Sequence, residues 1–588
     1  MPSIYSLLKN LWLHIQPRRK IHFAFLLSLM IVTSAVEIMG IGSVIPLLGA
    51  IINPQSLLQS PRFFMIFSWL NISSEQGLAI GLSIVFIAIT LITNILRLLL
   101  LWSNTRLANI ISSELGFLAY ENLLYQPYEV HISRGLGEVI HGILLNVSIA
   151  ASQIGMALTL INATILSIGI LIAIIFFNPY MAFFIGLVLS LFYLFIGMIV
   201  KERLHRNSIK HTNYSQSVMN SVIEGLGGIR DVLLDGLQQT YAQAFIKKDY
   251  LSKRALGNVQ ILGAAPRFII ETVGISAIVI AAVAFSLVLG DPLKTIPLLG
   301  ATALGALRLL PIIQSGFYAW SNLQGNKTAL NEALVFLNQP IATSQLSYPR
   351  QILKFNNSIR FSNVSYRYPG QDKNSLSSIT YEIRKGDRVG LIGKTASGKS
   401  TFMDVFMGLL KPTEGEVYVD DTPLGYSNYW EWQRQLAHVP QVIFLTDTTI
   451  AENIAFGVPK ENIDMERVFV AAKIAQLTQD FKELSKKVGE RGVRLSGGQR
   501  QRIGIARAIY KNASTYIFDE ATSALDVETE KNVMDAIESW AKEDNKKLTI
   551  IFIAHRQSTL RNCNTILELE NGQLKRVGPY QEILGDSI

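Results

Sequence analysis

Gly393-Lys394-Thr395-Ala396-Ser397-Gly398-Lys399-Ser400 sets two glycines, a lysine and a hydroxyl at the spacing G-x-x-x-x-G-K-[ST], with Thr401 following. Glycines let successive backbone N–H groups turn inward around a phosphate, and a helix starting there adds positive potential. Lys399 can reach the β- and γ-phosphates of a nucleotide, and the Ser400 hydroxyl can ligate Mg²⁺. Downstream, Tyr516-Ile-Phe-Asp519-Glu520 is an apolar run ending in two carboxylates. Asp519 suits Mg²⁺, held directly or through water, and Glu520 suits polarising an attacking water. The plainer reading of that pair is a helix cap, since Ala521-Thr-Ser follows. A third set consists of charges inside otherwise apolar runs: Glu37, Arg97, Arg267, Glu271 and Arg308. Each costs about 2.5–3.5 kcal/mol at mid-membrane on insertion scales. They either face a polar cavity that accepts an anionic head group, or pair to hold helices together, or lie beyond the bilayer in water. Arg267 and Glu271 are four apart and share a helix face.

The elements that must position these groups differ between the two halves of the chain. Across 588 residues, 49% are hydrophobic and only 16% charged, against roughly 25% charged in an average soluble protein. That balance excludes a disordered, collagen-like or disulfide-stapled chain. The single cysteine, Cys563, permits no intrachain disulfide, and no cluster of His and Cys suggests a metal centre. Apolar runs long enough to span a bilayer cover Phe23 to Ile52, Gly77 to Leu96, two halves of the uncharged stretch Val139 to Val200, Gly257 to Gly290, and Ile296 to Leu323. Asn178-Pro179 marks the turn inside the uncharged stretch. These runs predict six spans. Pro46, Pro266 and Pro311 are placed to kink them. Leu57 to Leu70 is too short to span and reads either as a helix lying in the outer interface or as a packed hydrophobic loop.

The second and fourth connections are long and polar, and the fourth contains Lys201, Arg203, Arg206, Lys210, Arg230, Lys247, Lys248, Lys253 and Arg254. The first connection holds only Arg62 and the fifth only Lys294. The long loops and both termini are therefore expected in the cytoplasm. This asymmetry accounts for the net charge of +9, and no nucleic-acid partner is expected. From about Asn338 the apolar runs stop. A linker over 338–357 leads to alternating short β-like and helical runs over 358–588. There a strand from Asp387 to Ile392 feeds the glycine loop, and helical character follows from Thr401 to Leu410.

Between the glycine loop and the acidic strand lies Leu495-Ser496-Gly497-Gly498-Gln499, followed by Arg500-Gln-Arg502. The whole set resembles the ATP-binding cassette family: Tyr368, Gly393 to Ser400, Gln441, Leu495 to Gln499, Asp519-Glu520, Ser523-Ala-Leu-Asp526 and His555 occur in the expected order. The resemblance implies ATP and Mg²⁺ as ligands. It implies that Tyr368, with Tyr366 as its rival, stacks on adenine, that Gln441 senses Mg²⁺ and contacts the membrane domain, and that His555 contacts the γ-phosphate. It further implies that Ser496 and Gly498, with their neighbours Gly497 and Gln499, bind ATP held by a partner subunit, that Asp526 crosses the dimer interface, and that Gly489-Glu490-Arg-Gly492 touches the membrane domain.

With six spans in 1–337 and one α/β P-loop cassette, the chain resembles half of an ABC exporter, and its undegraded motifs imply a homodimer. The long cytoplasmic loops resemble those of exporters rather than importers. Ala35-Val-Glu37-Ile-Met-Gly-Ile-Gly-Ser-Val-Ile-Pro46, Ala264-Ala-Pro-Arg-Phe-Ile-Ile-Glu271 and Leu307-Arg308-Leu-Leu-Pro311 resemble bacterial lipid-linked oligosaccharide flippases. The resemblance implies a multi-pass protein of the bacterial inner membrane that moves a lipid-linked oligosaccharide or related glycolipid outward. Export of peptides or amphipathic drugs is the alternative, favoured by a wide uncharged cavity. A soluble cassette acting on nucleic acid or ribosomes is disfavoured by the spans.

Overall fold

The structure, a computed structural model, describes residues 2–52, 54, 75–177, 179–289, 292–340, 353–480, 483–543, 547–554 and 556–585. It divides into two compact units, Met1–Gln126 with Ser133–Pro340, and Pro127–Ile132 with Ile341–Ile588. The stretch Leu57 to Leu70, Asn178 and most of the expected linker lie outside the described residues.

The first unit is built from helices alone among the described residues. The main ones are α1 (Ile4–Leu13), α2 (Pro17–Gly42), α3 (Val44–Ile52), α4 (Glu75–Leu124), α5 (Leu136–Ile140), α6 (Val147–Phe177), α7 (Pro179–Gly227), α8 (Gln238–Ala264), α9 (Pro266–Leu289), α10 (Pro292–Gly325) and α11 (Lys327–Leu337), with a π-helical segment His141–Asn146 between α5 and α6 and a short helix Ile229–Leu234 between α7 and α8. The described residues of every apolar run named above are helical or join two helices. By length and composition, three helical stretches among the described residues can cross a membrane: Pro17–Ile51, Gln76–Leu124 and Leu136–Ile175. Ile80, Ile84, Ile87, Leu91, Ile95 and Leu98 form a continuous exposed stripe along α4. Water would not tolerate such a stripe, and lipid does.

Two of the prolines mark breaks. The first span is interrupted at Ser43, because Pro46 has no N–H to give Gly42, and α8 ends just before Pro266. By contrast α10 runs through Pro311 without interruption. Leu26 and Met30 of α2 pack with Leu100 and Leu107 of α4 and Ile154 of α6 in one buried cluster. Ile41 of α2, Ile170 of α6, Ile270 of α9 and Leu309 of α10 join in another.

The second unit holds two sheets. Strands β1 (Ser358–Tyr366), β2 (Leu376–Arg384), β4 (Glu414–Val419) and β5 (Thr422–Pro423) form an antiparallel sheet in the order β2-β1-β4-β5. The other sheet runs β10 (Gln573–Gly578), β9 (Thr565–Glu570), β3 (Arg388–Ile392), β8 (Thr549–Ile553), β7 (Thr515–Asp519) and β6 (Leu436–Val439). All its neighbours are parallel except the edge pair β10–β9.

Helix α12 (Lys399–Phe406) packs between the two sheets. Phe361 of β1 stacks on Phe402 of α12 at 4.7 Å between ring centroids, and fully buried Trp432 donates its indole N–H to the Phe406 carbonyl at 2.8 Å. Side chains of this size each contribute about 1.5–3 kcal/mol on burial. They fix the axis of the helix that carries Lys399 and Ser400. This helix stops earlier than the pattern to Leu410 implied. Gly408 takes φ +66°, and the Leu409 N–H turns back to the Asp404 carbonyl, as in a left-handed helix stop.

Candidate functional site

β3 ends at Ile392 and the chain enters the glycine loop. Gly393 has φ +149° and Gly398 φ +102°. A Cβ on Gly393 would sit 2.3 Å from the Leu569 carbonyl oxygen, and one on Gly398 would sit 2.8 Å from that of Ser375. Only glycine fits either position. The Lys399 ammonium is folded back over this loop, donating to the carbonyls of Gly393 at 2.6 Å and Lys394 at 3.0 Å. Partial burial lowers its pKa below that of an ordinary lysine, against the opposing pull of Glu520 and Asp519.

Glu520 follows β7 in a left-handed conformation, φ +48°. Its backbone N–H bonds the Ile553 carbonyl at 2.9 Å, and its carboxylate accepts from Gln441 Nε2 at 2.6 Å. Lys399, Ser400, Thr401, Gln441, Asp519 and Glu520 thus line one cavity of about 820 Å³, with Thr395 to Gly398 along its floor. The cavity joins a backbone nest, one ammonium, hydroxyl oxygens and two carboxylates, which suits a phosphorylated ligand with a hard cation.

Other sequence candidates lie apart from this cavity. Ser496 caps the helix α13 (Gly497–Lys511): its hydroxyl accepts the Gln499 N–H at 3.2 Å, and the Gln499 side chain returns a bond to the Ser496 N–H at 3.0 Å. Gly497 and Gly498 form the first turn of that helix. Asp526 is exposed and accepts from the Thr529 N–H at 2.8 Å. That bond holds its carboxyl below the usual range. Within this chain the phosphate cavity therefore includes neither the Ser496 helix start nor Asp526. His555 lies outside the described residues.

The two tyrosines are separated by burial. Tyr366 is 1% exposed and its hydroxyl donates to Glu129, whereas Tyr368 is half-buried, edge-on to Tyr366 and 3.4 Å from the Thr401 hydroxyl. The sequence reading had missed Gln371, Lys373, Asn374 and Ser375, which line the cavity from the β1–β2 connection, and Asn571 and Gly572, which line it from the β9–β10 turn. The turn carried a signal, because Asn-Gly between two β-like runs favours a tight hairpin. Gln501 was missed as well. It is 5% exposed, donates to the Glu520 carbonyl at 3.3 Å and the Ser523 hydroxyl at 2.9 Å, and accepts the Ala524 N–H at 2.8 Å. This one amide braces the loop that follows the acidic strand.

In the helical unit Glu37 is fully buried and accepts from Arg97, with Arg308 at 3.9 Å. Arg97 and Arg308 line a cavity of about 440 Å³, together with Thr159 and Asn162. Arg267 lines a neighbouring cavity of about 400 Å³ that shares Pro311 and Ser315. Arg267 and Glu271 are exposed, and no ion pair joins them among the described residues.

A glycine cradle between strand and helix, facing an acidic strand end, defines a nucleotide-binding P-loop ATPase. A family profile described as ABC transporter matches residues 376–523. An ATP-dependent lipid A-core flippase of Pseudoalteromonas atlantica is 30% identical over 502 residues, covering 81% of this chain and 82% of that one. A protein of the same description from Ralstonia nicotianae is 28% identical over 484 residues, 79% of this chain and 78% of its own length. A third, from Cupriavidus metallidurans, is 37% identical over 268 residues, 45% of this chain and 44% of its own. A solved bacterial Atm1-family ABC exporter with ATP bound has the same fold, with a TM-score of 0.79 at 21% identity and 97% of both chains covered. The chain belongs to the ABC transporter family. It is a membrane protein whose helical part is followed by a cassette that binds nucleotide, and its ATPase activity is coupled to transport.

Proposed function

We propose that this protein is an ATP-driven flippase that moves a glycolipid, of the lipid A-core or lipid-linked oligosaccharide kind, from the cytoplasmic to the outer leaflet. The observation that carries the substrate reading is the cavity walled by Arg97 and Arg308, a charged site among apolar side chains such as Met30, Leu100, Leu158 and Leu166. Guanidinium groups recognise phosphate oxygens in fork geometry. The names of the relatives, which are lipid A-core flippases, support the same class. A wide uncharged cavity, as a drug or peptide exporter would need, is not what these residues build.

Residues 1–337 would form the membrane domain and 358–588 the cassette, joined by a linker over 338–357. In the cassette, Gly393 to Thr401 would hold the ATP phosphates and Tyr368 would stack on adenine. Glu520 would act as the base that polarises water, held ready by Gln441. Ser400, Gln441 and Asp519 are hard oxygen donors on one cavity and suit Mg²⁺, which when bound would neutralise phosphate charge. His555 would contact the γ-phosphate. Because Ser496 to Gln499 and Asp526 lie outside the cavity of their own chain, they would serve the ATP of a second copy, which supports a homodimer. Nucleotide-driven closure of that pair would bias the helical unit outward, and hydrolysis would reset it. The loop charges support cytoplasmic cassettes and termini in a bacterial inner membrane.

The test is ATP-driven translocation of a fluorescent lipid A-core in proteoliposomes, with Glu520→Gln as control. Movement by the wild type alone is expected. Intact ATPase activity without movement of lipid A-core or of a polyprenyl-pyrophosphate oligosaccharide would refute the glycolipid reading.

A further inference from the structure

Glu37 has no place in the transport scheme above, yet its surroundings are unusual. It sits on α2, fully buried, in a helix otherwise free of charge from Phe23 onward. One carboxylate oxygen accepts from Arg97 of α4 and lies 3.9 Å from Arg308 of α10. The other oxygen is buried with no hydrogen-bond partner among the described residues. Three helices therefore converge on a single carboxylate. Meanwhile the two arginines keep 42% and 21% of their side chains exposed and line the cavity of about 440 Å³.

Two positive groups and one negative group leave this cavity with a net charge of +1 among the described residues. An apolar surround penalises any uncompensated charge strongly. How strongly the cavity favours added negative charge on a head group then depends on how much arginine charge Glu37 leaves over. We propose that Glu37 tunes the charge selectivity of the lipid site: it neutralises one of the two arginines and holds the cavity of each copy at +1 rather than +2, which weakens its preference for the more highly phosphorylated head group. A phosphate monoester carries about −1.5 to −2 near neutral pH, so each further phosphate adds negative charge that a +1 cavity compensates less well than a +2 cavity would. This inference rests on the glycolipid reading. It makes Glu37 a specificity-determining residue that acts through Arg97 and Arg308.

The test compares two lipids that differ by one phosphate, monophosphoryl and diphosphoryl lipid A, bound to the full-length protein in phosphatidylcholine nanodiscs and followed by tryptophan fluorescence. The readout is the ratio of the two affinities within each variant, so a general loss of fold or affinity cancels. Glu37→Gln raises the cavity charge to +2, and the ratio is expected to shift toward the diphosphoryl lipid by at least about tenfold. Adding Arg97→Gln to Glu37→Gln restores a charge of +1 and should return the ratio toward the wild-type value. A merely structural role for Glu37 would lower both affinities together. A ratio unmoved by Glu37→Gln, or unmoved by the compensating change, overturns the inference and leaves the glycolipid reading standing. Binding of neither lipid to the wild type, with ATP hydrolysis intact, overturns both.

Discussion

Replacing Glu530 with glutamine should weaken both the cassette and its turnover. Glu530, on the helix Val527–Glu543, is 5% exposed. Its carboxylate accepts from Arg556 Nη1 at 2.6 Å, the Thr559 hydroxyl at 2.7 Å and the Thr522 hydroxyl at 3.0 Å. Removing one partner of a wholly buried ion pair costs about 3–5 kcal/mol, whereas exposed pairs contribute about 0–1 kcal/mol. Arg556 is 43% exposed and can rehydrate, and the amide oxygen of glutamine can still accept a threonine hydroxyl. An intermediate cost of about 1–3 kcal/mol follows. For a unit of this size that lowers the melting temperature by about 2–4 °C per kcal/mol.

The functional consequence runs through Arg556, which also donates to the carbonyls of Ser523 and Leu525 at 3.3 Å each. Those residues flank the loop that carries Asp526. With Arg556 released, kcat for ATP should fall several-fold. KM should stay near its wild-type value, because neither Glu530 nor Arg556 lines the phosphate cavity. Steady-state ATPase assays in proteoliposomes and calorimetry of the cassette transition measure the two effects. An unchanged melting temperature with an unchanged kcat would refute the idea that this carboxylate holds the loop.

Further outcomes are expected elsewhere. Glu520→Gln should nearly abolish hydrolysis while nucleotide still binds; brisk turnover would remove Glu520 from the role of base. Arg308→Ala should reduce lipid transport more than basal ATPase activity, and equal loss of both would make Arg308 structural. Cys563 is buried and its thiol is pushed up to about 12 by desolvation, so iodoacetamide at pH 8 should label it only in denaturant; rapid native labelling would contradict that burial. Burial, with repulsion from Asp519, pushes the Asp404 carboxyl up to about 6. Between its ordinary value and about pH 6 the folded cassette then binds more protons than the unfolded chain, so stability falls as pH rises through that window. Asp404→Asn should flatten this slope in nucleotide-free thermal melts, and an unchanged slope would assign it to another group.

The phosphate site was legible in the sequence because its parts are contiguous. A glycine that must take a positive φ, a lysine at a helix start and an apolar strand ending in carboxylates each specify their own local backbone, and local backbone is what short spacing encodes. The apolar runs were legible for a similar reason, since lipid imposes length and composition on each helix separately. Sequence spacing could not choose between Tyr366 and Tyr368. They are two residues apart and lie on the same strand or just beyond it, and only tertiary packing in the surrounding buried cluster separates them. The end of the Lys399 helix was also overextended, because a left-handed stop at Gly408 depends on one residue against a helical pattern.

The residues alone therefore determined that this chain spans a membrane and carries an ATP-hydrolysing cassette, since each motif is satisfied within a few residues of itself. Tertiary structure decided which distant groups meet. Gln441 reaches Glu520 across 79 positions, Gln501 and Glu530 brace loops they do not belong to, and Arg97 and Arg308 converge on Glu37 from separate helices. No local pattern encodes such meetings, because a transmembrane helix can turn any of its faces inward. Which face does so is set by the packing of all its neighbours at once.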